Sequence, residues 1–437
     1  MFLPEYARQC IDALESRGFA CYAVGGCVRD ALLGLTPHDY DLCTDALPEQ
    51  IKTIFSHRTL VLAGEKHGTV GVVTDGGVVE ITTFRTEGGY ADNRHPGWVN
   101  FETNIEADLS RRDFTVNAMA YSPTRGLADP FGGQKDLQNH ILRAVGNATE
   151  RFTEDALRIL RGVRFAVRFQ LTPEKDTMDA MEKQAYLLDN IAAERIFDEL
   201  CHLLPVVDAP ALLHFAPILI QVIPELQPAI GFDQHNCHHI YDVFTHICYV
   251  TGSVPPELSL RWAALLHDVG KVDTFSMGED GQGHFYGHDK LSAQMADGIL
   301  RRLKAPNALR EEVVFLIERH MMRPEPDRRL LRRWLSKWEE PRLRKLLALQ
   351  QADLGSKGVS GEPFPFEEII SIIDALVAEN SCLTLKDLAI NGNDLMALGI
   401  SGKAIGECLN GLLARVLDEE LSNETEALLA EVRRIYL

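Results

Sequence analysis

The sequence predicts an α+β fold in which a small domain with a mixed sheet and flanking helices precedes a region made almost entirely of helices. Two observations support this prediction. Within residues 1–140, short β-rich runs such as FACYAVGG and GTVGVVTDGGVVEITTF mix with helical segments at 4–16 and 48–55. After about residue 150 the strand signals nearly vanish, and apolar residues recur at helical spacing between Pro and Gly breaks. Sheet and helical region are therefore expected to be separate domains.

Length and composition limit the class of protein. A chain of 437 residues is too long for one ordinary hydrophobic core and is expected to form three or four domains. Apolar residues make up 46% and charged residues 24%, as in folded globular proteins. The start, MFLPEYARQC, lacks the pattern of a secretory signal, and no apolar run is long enough to span a membrane. We therefore expect a cytoplasmic protein without a membrane partner, whose oligomeric state the sequence leaves open.

The charge distribution matters more than the net charge of −19, which by itself argues against binding to nucleic acid. Residues 151–168 carry five arginines against two acidic residues, and residues 319–345 carry ten Lys or Arg against four acidic residues. These segments are either basic stripes for RNA or solvated helix faces, and charge alone does not decide between the two.

The segment VGGCVRDALLGLTPHDYDL carries the first chemical signal. Asp39 and Asp41 are two residues apart, a spacing that places both carboxylates on one face of a strand. Paired carboxylates suit Mg²⁺, which takes few protein ligands and fills its other positions with water and phosphate oxygens. Gly25 and Gly26 are expected to form a turn whose N–H groups approach a triphosphate, and Arg29 is expected to clamp that triphosphate.

Taken together in this order, these residues resemble the signature of the class II tRNA nucleotidyltransferases and their bacterial poly(A) polymerase relatives. The resemblance continues through EITTFRTEGGYADNRHP and DLSRRDFTVNAMAYS. It implies a polymerase-beta-like head in which Arg112 contacts nucleotide and Asp113 belongs to the motif that handles the sugar. Glu80 is a candidate third carboxylate near the metal ions.

The segment TEDALRILRGVRF predicts how a base is selected. With Thr153 as N-cap, a helix places Asp155 and Arg158 on one face, where the acid accepts from the exocyclic amine of C or A and the arginine donates to a ring acceptor. The segment is similar to the amino-acid template of the family, and Arg161 and Arg164 continue the same spacing. By resemblance, RTEGGYADNRHPGW is the flexible loop used in the switch from C to A. If the head motifs were absent, the segment TEDALRILRGVRF would be interpreted as an ordinary amphipathic helix.

A second chemical signal lies in HNCHHIYDVFTHICYV, LRWAALLHDVGK, HFYGHDKLS, IERH and QADLGS. Imidazole and carboxylate groups of this kind bind divalent transition metals. The run LLHDVGK resembles the signature of HD-domain phosphohydrolases, which implies a second metal ion in addition to Mg²⁺. The predicted ligands are His246, His267, Asp268 and Asp353, with His288 and His320 nearby.

Bacterial class II CCA-adding enzymes with an HD domain are the family that combines both signals. The resemblance implies a nucleotidyltransferase head at 1–140, a helical neck with the nucleotide-selecting helix at 141–230, an HD domain at 231–357 and a tRNA-binding tail at 358–437. The implied activity adds C, C and A to the 3′ end of tRNA from CTP and ATP and releases pyrophosphate. Alternatives are a poly(A) polymerase, a partial adder of CC or A, a metal-dependent HD phosphohydrolase, and an RNA-binding scaffold.

Overall fold

A computed structural model of the chain describes residues 3–88, 97–236, 240–279, 281–357, 364–379 and 382–436. The chain forms two compact units, one of residues 1–227 with 299–305 and one of residues 228–298 with 306–437. The first unit contains a seven-stranded mixed sheet, and the second is almost entirely helical. The predicted α+β fold is therefore confirmed, whereas the division into four domains stays a prediction.

The first unit has strands that are mostly three to seven residues long. They are β1 (Cys21–Val24), β2 (Leu42–Thr44), β3 (Leu60–Val61), β4 (Thr69–Thr74), β5 (Gly77–Thr83), β6 (Arg85–Gly88), β7 (Trp98–Phe101), β8 (Ala120–Ser122), β9 (Gly126–Ala128), β10 (Ile141–Leu142) and β11 (Thr172–Pro173). Its helices are α1 (Glu5–Glu15), α2 (Gly26–Leu32), α3 (Pro48–Ile54), α4 (Ile105–Ser110), α5 (Gly133–Gln138), α6 (Ala148–Glu154), α7 (Leu157–Arg168), α8 (Lys175–Gln184), α9 (Ala193–Leu203), α10 (Ala209–His214) and α11 (Ala216–Val222).

The large sheet has the strand order β3-β4-β5-β2-β1-β8-β9. Strands β2 and β5 run parallel, and the other neighbours in this sheet are antiparallel. Alternation along β4 and β5 buries apolar side chains such as Val70, Val72 and Ile81 on one face, as period-two patterning requires. Strand β1 lies between β2 and β8, so the turns that leave it are held by hydrogen-bonded neighbours on both sides.

The helical part of the first unit begins earlier than the sequence predicts. Helix α6 has Asn147 as its N-cap, and the Asn147 side chain accepts a hydrogen bond from the N–H of Glu150 at 3.3 Å. The prediction that Thr153 caps this helix is wrong. Thr153 instead lies inside α6, where its hydroxyl donates to the carbonyl of Thr149 at 2.8 Å.

The second unit contains one short hairpin and a series of helices. The hairpin consists of β12 (Ser276–Met277) and β13 (Gly283–His284). The helices are α12 (Val243–Ser253), α13 (Leu258–Leu266), α14 (His288–Arg302), α15 (Asn307–Arg319), α16 (Arg328–Trp338), α17 (Glu340–Gly355), α18 (Phe366–Ala378), α19 (Gly392–Ala397), α20 (Lys403–Leu417) and α21 (Thr425–Tyr436). None of the helices in the described part of the chain combines the length and apolar character that crossing a membrane requires.

The basic segment at 319–345 packs on acidic residues of the same unit. Arg333 forms a two-point ion pair with Asp418 at 2.6 Å, and Arg332 lies 3.2 Å from Glu419. Arg344 donates to Asp374 at 2.5 Å. These three arginines are therefore paired within the unit, and the two predictions for the whole segment, a basic stripe for RNA and a solvated helix face, stay predictions.

Candidate active site and candidate metal centre

Asp39 and Asp41 lie in the extended segment that leads into β2. The sequence placed them on a strand, but β2 begins only at Leu42, so that detail is wrong. The carbonyl of Asp41 nevertheless accepts a hydrogen bond from the N–H of Val24 at 3.0 Å, which extends the pairing with β1 by one residue. Because Leu42 pairs with Ile81 in parallel register, Glu80 comes beside Asp41 at the same edge of the sheet.

The three carboxylates interact electrostatically. The pKa of Asp41 is raised to about 6, first by the protein atoms that crowd it, although its side chain reaches solvent, and then by the negative charges of Asp39 and Glu80. Arg112 acts in the opposite direction and lowers this pKa. Because the negative charges of Asp39 and Glu80 act on Asp41, a cation beside these carboxylates would be stabilised, so this end of the strands fits a divalent metal ion.

Gly25 and Gly26 form the predicted turn between β1 and α2. Gly25 has φ +76°, and a Cβ atom placed there would lie 2.8 Å from Nη1 of Arg112. Only glycine fits without strain or displacement. The N–H of Gly25 donates to the carbonyl of Met119 at 3.0 Å, and its predicted contact with a triphosphate stays a prediction. Nucleotide contact by Gly26 stays a prediction.

Arg29 is buried, with 6% of its surface exposed. Its Nε and Nη2 donate to Asp30 at 2.9 and 2.6 Å, and its Nη1 donates to Asn117 at 2.5 Å. Its guanidinium also lies 4.1 Å from the ring centre of Phe169, which follows α7. Arg29 thus connects α2 to other parts of the first unit, and its predicted role as a triphosphate clamp remains untested.

Arg112 is the arginine that faces the carboxylates. Its side chain is 22% exposed and lies 3.5 Å from the buried carboxylate of Asp108. Its effect on the pKa of Asp41 and its closeness to Gly25 place it beside the candidate metal site. A guanidinium in this position can contact a nucleotide held by the ion.

Asp113, Arg161 and Arg164 form a structural network. The Oδ2 atom of Asp113 accepts from Nε and Nη2 of Arg161 at 3.0 and 2.8 Å. Burial alone would raise the pKa of Asp113, but Arg161 and Asn117 outweigh burial and lower it to about 2. Arg164 donates to Glu199 at 2.6 Å. Both arginines therefore hold α7 in place, and their predicted nucleotide contacts stay predictions.

The predicted selecting helix is interrupted at Asp155. This residue has φ −139° and ψ 102° and ends α6, so Asp155 and Arg158 do not share the face of one helix as the sequence predicted. The carboxylate of Asp155 instead accepts from both Nη atoms of Arg195 at 3.4 and 3.1 Å. Asp155 also contacts the start of α7: its backbone carbonyl accepts from the N–H of Arg158 at 3.0 Å, and its Oδ1 atom accepts from the N–H of Leu157 at 3.2 Å.

Arg158 is 8% exposed and lies against the segment that carries Arg112. Its Nη1 donates to Glu154 at 2.8 Å, and its Nη2 donates to the carbonyl of Arg111 at 2.9 Å. Arg158 is therefore fixed to the segment that carries Arg112, whereas Asp155 is held by Arg195. The loop predicted at 85–98 falls mainly on residues 89–96, which lie outside the described residues.

Several residues of this site were not predicted from the sequence. Arg195 is 40 positions from Asp155, and Asn117 is 88 positions from Arg29. No local motif marks either residue, because each acquires its partner only through the tertiary fold. The same holds for Glu199, which binds Arg164 from α9.

In the second unit, four histidines converge on Asp268. The Nε2 atoms of His246 and His267 lie 3.5 and 3.2 Å from Asp268 Oδ2. Those of His288 and His320 lie 3.3 and 3.8 Å from Oδ1. These five residues are all at least 95% buried. The structure thus brings together the predicted HD residues, and Asp353 joins them through His246 Nε2 at 3.1 Å.

The remaining ring nitrogens of these histidines are held by backbone carbonyls. Nδ1 of His267, His288 and His320 lies 2.8, 2.7 and 2.6 Å from the carbonyls of Ala264, Phe285 and Ile317. This arrangement fixes the ring orientation and directs Nε2 inward, as in metal-binding histidines. Burial and the neighbouring His267 lower the pKa of His320 to about 3, so its ring is neutral at neutral pH and able to bind metal.

The first unit, with its carboxylate pair at a strand edge and Arg112 beside it, defines a nucleotidyltransferase of the type with a poly(A) polymerase head. The family described as Poly A polymerase head domain matches residues 21–143. The family described as probable RNA and SrmB-binding site of polymerase A matches residues 170–229, and that described as tRNA nucleotidyltransferase domain 2, putative, matches residues 288–432.

Comparison with known proteins identifies the family. The CCA-adding enzyme of Streptococcus mutans is 34% identical over 437 residues, covering 99% of this chain and 98% of that protein. The crystal structure of the Bacillus stearothermophilus CCA-adding enzyme in complex with CTP is similar with a TM-score of 0.73 and 29% identity, covering 99% of this chain and 98% of the other. This chain belongs to the family of CCA-adding enzymes.

A similar fold is found in structures with lower sequence identity. The Thermotoga maritima CCA-adding enzyme complexed with tRNA is similar with a TM-score of 0.58 and 23% identity, covering 98% of this chain and 94% of that one. At this identity the similarity concerns the fold alone.

Proposed function

We infer that this chain adds C, C and A to the 3′ end of tRNA, uses CTP and ATP as substrates and releases pyrophosphate. The observation that carries this inference is the carboxylate pair Asp39 and Asp41 beside Arg112, in a chain related over its full length to CCA-adding enzymes. In the reaction, the terminal hydroxyl of the tRNA attacks the α-phosphate of the nucleotide, and pyrophosphate leaves.

The transfer depends on a divalent metal ion, for which we propose Mg²⁺ held by Asp39 and Asp41. Such an ion lowers the pKa of the attacking hydroxyl and neutralises charge on the leaving pyrophosphate. The ligands are carboxylate oxygens in an exposed segment that leaves room for water and phosphate. Such a site suits Mg²⁺ better than it suits a metal that prefers thiolate ligands. Glu80 supports the pair by adding negative charge beside Asp41. Arg112 contacts the bound nucleotide.

Base choice is assigned to Asp155 and Arg158. The Asp155 carboxylate accepts from the exocyclic amine of C or A, and the Arg158 guanidinium donates to a ring acceptor. G and U present a carbonyl where the acid requires an amine, and an unmade buried hydrogen bond is costly. Glu154 and the carbonyl groups of Arg151 and Arg111 accept hydrogen bonds from Arg158 at 2.8, 3.1 and 2.9 Å and together set the direction of its guanidinium.

The test uses purified protein and tRNA that lacks its CCA end, with CTP and ATP supplied separately and together. CTP alone should add only C residues, and both nucleotides together should restore the complete CCA end. Incorporation of only C or only A would indicate a partial adder, and long A tracts a poly(A) polymerase. Either outcome would contradict the proposal. The Asp39→Asn and Asp41→Asn variants should be inactive.

A metal-dependent phosphohydrolase is a second candidate function, favoured by the convergence of four histidines on Asp268. We propose a divalent transition metal held by His246, His267, Asp268 and Asp353. If hydrolysis were the main activity, Asp41→Ala would preserve it and His267→Ala would abolish it. An RNA-binding scaffold would tolerate both substitutions. The cytoplasmic location and the tRNA-binding role of the tail stay predictions.

A further inference from the structure

Tyr40 stands between Asp39 and Asp41 in the chain, and its ring packs against the ring of Tyr6 on α1. The two ring centres are 6.1 Å apart, and the ring planes meet at 87°. Rings in this orientation attract each other because the positive edge of one meets the negative face of the other. The residue between the two candidate metal ligands is therefore packed on a helix that carries no predicted site residue.

The segment that carries the carboxylates has few polar contacts to hold it. In the described part of the chain, Asp39 and Tyr40 take part in no hydrogen bond and no ion pair. The backbone hydrogen bond that precedes them is donated by Leu35, and the one that follows involves the carbonyl of Asp41. Hydrogen bonds thus leave the position of Asp39 free, and the packing of Tyr40 on Tyr6 is a contact that restricts it.

Tyr6 is itself held by the turn between β4 and β5. A Cβ atom placed at Gly76 would lie 2.1 Å from Cδ1 and 2.6 Å from Cγ of Tyr6. These atoms belong to the base of the ring rather than to its tip, so a side chain at position 76 fits only if the whole ring moves. The half-buried ring of Tyr6 thus joins three parts of the first unit, which are α1, this turn and the carboxylate segment.

The electrostatic influence of nearby groups shows how close the aromatic pair lies to the carboxylates. The pKa of Tyr6 is raised first by partial burial and then by the negative charges of Asp39 and Cys27. Burial and Cys27 also raise the pKa of Tyr40. The pKa of Cys27, in the first turn of α2, is raised to about 12 by burial and then by Asp41. The two rings and the two carboxylates therefore surround the start of the same helix.

We propose that Tyr6 is a positioning residue for nucleotidyl transfer, which acts through Tyr40 to hold Asp39 where the metal ion binds. This proposal rests on the proposed function, in which Asp39 and Asp41 hold Mg²⁺. Mg²⁺ demands near-ideal octahedral geometry, so a small displacement of one carboxylate weakens its binding. An exposed aspartate without hydrogen bonds depends on the packing of its neighbour for that geometry.

The rival explanation is that Tyr6 only packs α1 onto the sheet. In that case its removal lowers the free energy of unfolding but does not change how the folded protein binds a metal ion with nucleotide. The two explanations differ in the gain of CTP affinity that Mg²⁺ provides, which is measured without tRNA and without turnover.

Isothermal titration calorimetry of the full chain gives the affinity for CTP in Mg²⁺ and in EDTA, at a temperature where circular dichroism shows each variant to be folded. Mg²⁺ should raise the affinity of the unaltered protein, and Asp39→Asn should abolish this gain. Failure of either expectation would overturn the metal site itself, and the positioning role with it. Tyr6→Ala should reduce the gain about tenfold, whereas Tyr6→Phe, which retains the ring, should preserve it. A full gain in Tyr6→Ala, or its loss in Tyr6→Phe, would overturn only the positioning role.

Two neighbouring glycines of the β4–β5 turn provide a test that leaves Tyr6 in place. Gly76→Ala should displace the ring and reduce the gain as Tyr6→Ala does. Gly77→Ala is the control, because Gly77 has φ +116° and nothing lies within 4 Å of its added Cβ, so alanine strains the backbone without meeting the ring. Equal gains in these two variants would overturn the proposal, even if Tyr6→Ala folds too poorly to be measured.

Discussion

The guanidinium of Arg161, on α7, donates two hydrogen bonds to Oδ2 of Asp113 at 3.0 and 2.8 Å. Asp113 belongs to the same RRDF segment as Arg112, so this pair fixes α7, the helix that carries Arg158, to the segment that faces the carboxylates. Phe165 lies among Arg29, Arg161 and Arg164, whose guanidinium groups are 5.2, 5.2 and 4.5 Å from its ring centre. The head motifs and α7 therefore form one connected network.

Removing either member of the Asp113–Arg161 ion pair should destabilise the first unit. Asp113→Ala leaves Arg161 without its main partner, and we expect a loss of about 2–3 kcal/mol in the free energy of unfolding. In the Asp113→Ala protein, the further substitution Arg161→Ala should lower the free energy of unfolding only slightly, because the interaction is already lost. Urea unfolding of both single variants and the double variant measures the coupling, and strictly additive losses would contradict it.

The carboxylate of Asp113 should also make the free energy of unfolding depend on pH. Its pKa is lowered from the ordinary value of 3.8 to about 2 in the folded protein. The stabilisation is therefore complete above about pH 4 and is lost as the pH falls through 2. Between pH 5 and 2, the normal protein should lose about 2 kcal/mol more than Asp113→Asn. Unfolding curves at several pH values measure this difference, and equal losses would show that Asp113 is not the group responsible.

Gly25→Ala and Gly34→Ala form a matched pair. Both glycines have positive φ, +76° and +74°, so alanine strains the backbone at either position, and at Gly25 the ψ of −123° lies outside the left-handed helical region that other residues can adopt. Only at Gly25 would the new Cβ meet Arg112, whereas nothing lies within 4 Å at Gly34. We expect a larger loss of thermal stability for Gly25→Ala than for Gly34→Ala, and a fall of about tenfold or more in nucleotide incorporation, measured where both variants are folded, only for Gly25→Ala. Equal activities of the two variants would contradict a role for this turn in placing Arg112.

Arg195 should influence base choice without contacting the base. It holds the carboxylate of Asp155 where the chain leaves α6, so Arg195→Ala should let this carboxylate turn away. The ratio of kcat/KM for CTP to that for UTP should then fall by about tenfold. Arg195→Lys should restore part of this preference for CTP over UTP. Glu194→Ala, an exposed neighbour on α9, is the control. Unchanged discrimination in folded Arg195→Ala would exclude this role.

The part of the site that the sequence predicts is local. Asp39 with Asp41 and the glycine turn are recognisable because their types and spacing lie within one short segment, whereas the HD residues lie in several segments and were found through the resemblance of LLHDVGK to a known signature. The exact start of β2 and the break at Asp155 were missed, because local spacing does not reveal where a neighbouring strand begins to pair or which distant side chain a carboxylate will contact.

The sequence by itself therefore determined the fold class, the carboxylate pair and the histidine cluster, since periodicity and motif spacing are properties of the local chain. Only the tertiary structure decided that Arg29, Arg161 and Arg164 are engaged in ion pairs and that Asp155 is held by Arg195. It also decided that Asp268 faces two pairs of histidines. The physical reason is that burial and long-range pairing depend on segments far apart in the chain, and these meet only when the chain folds.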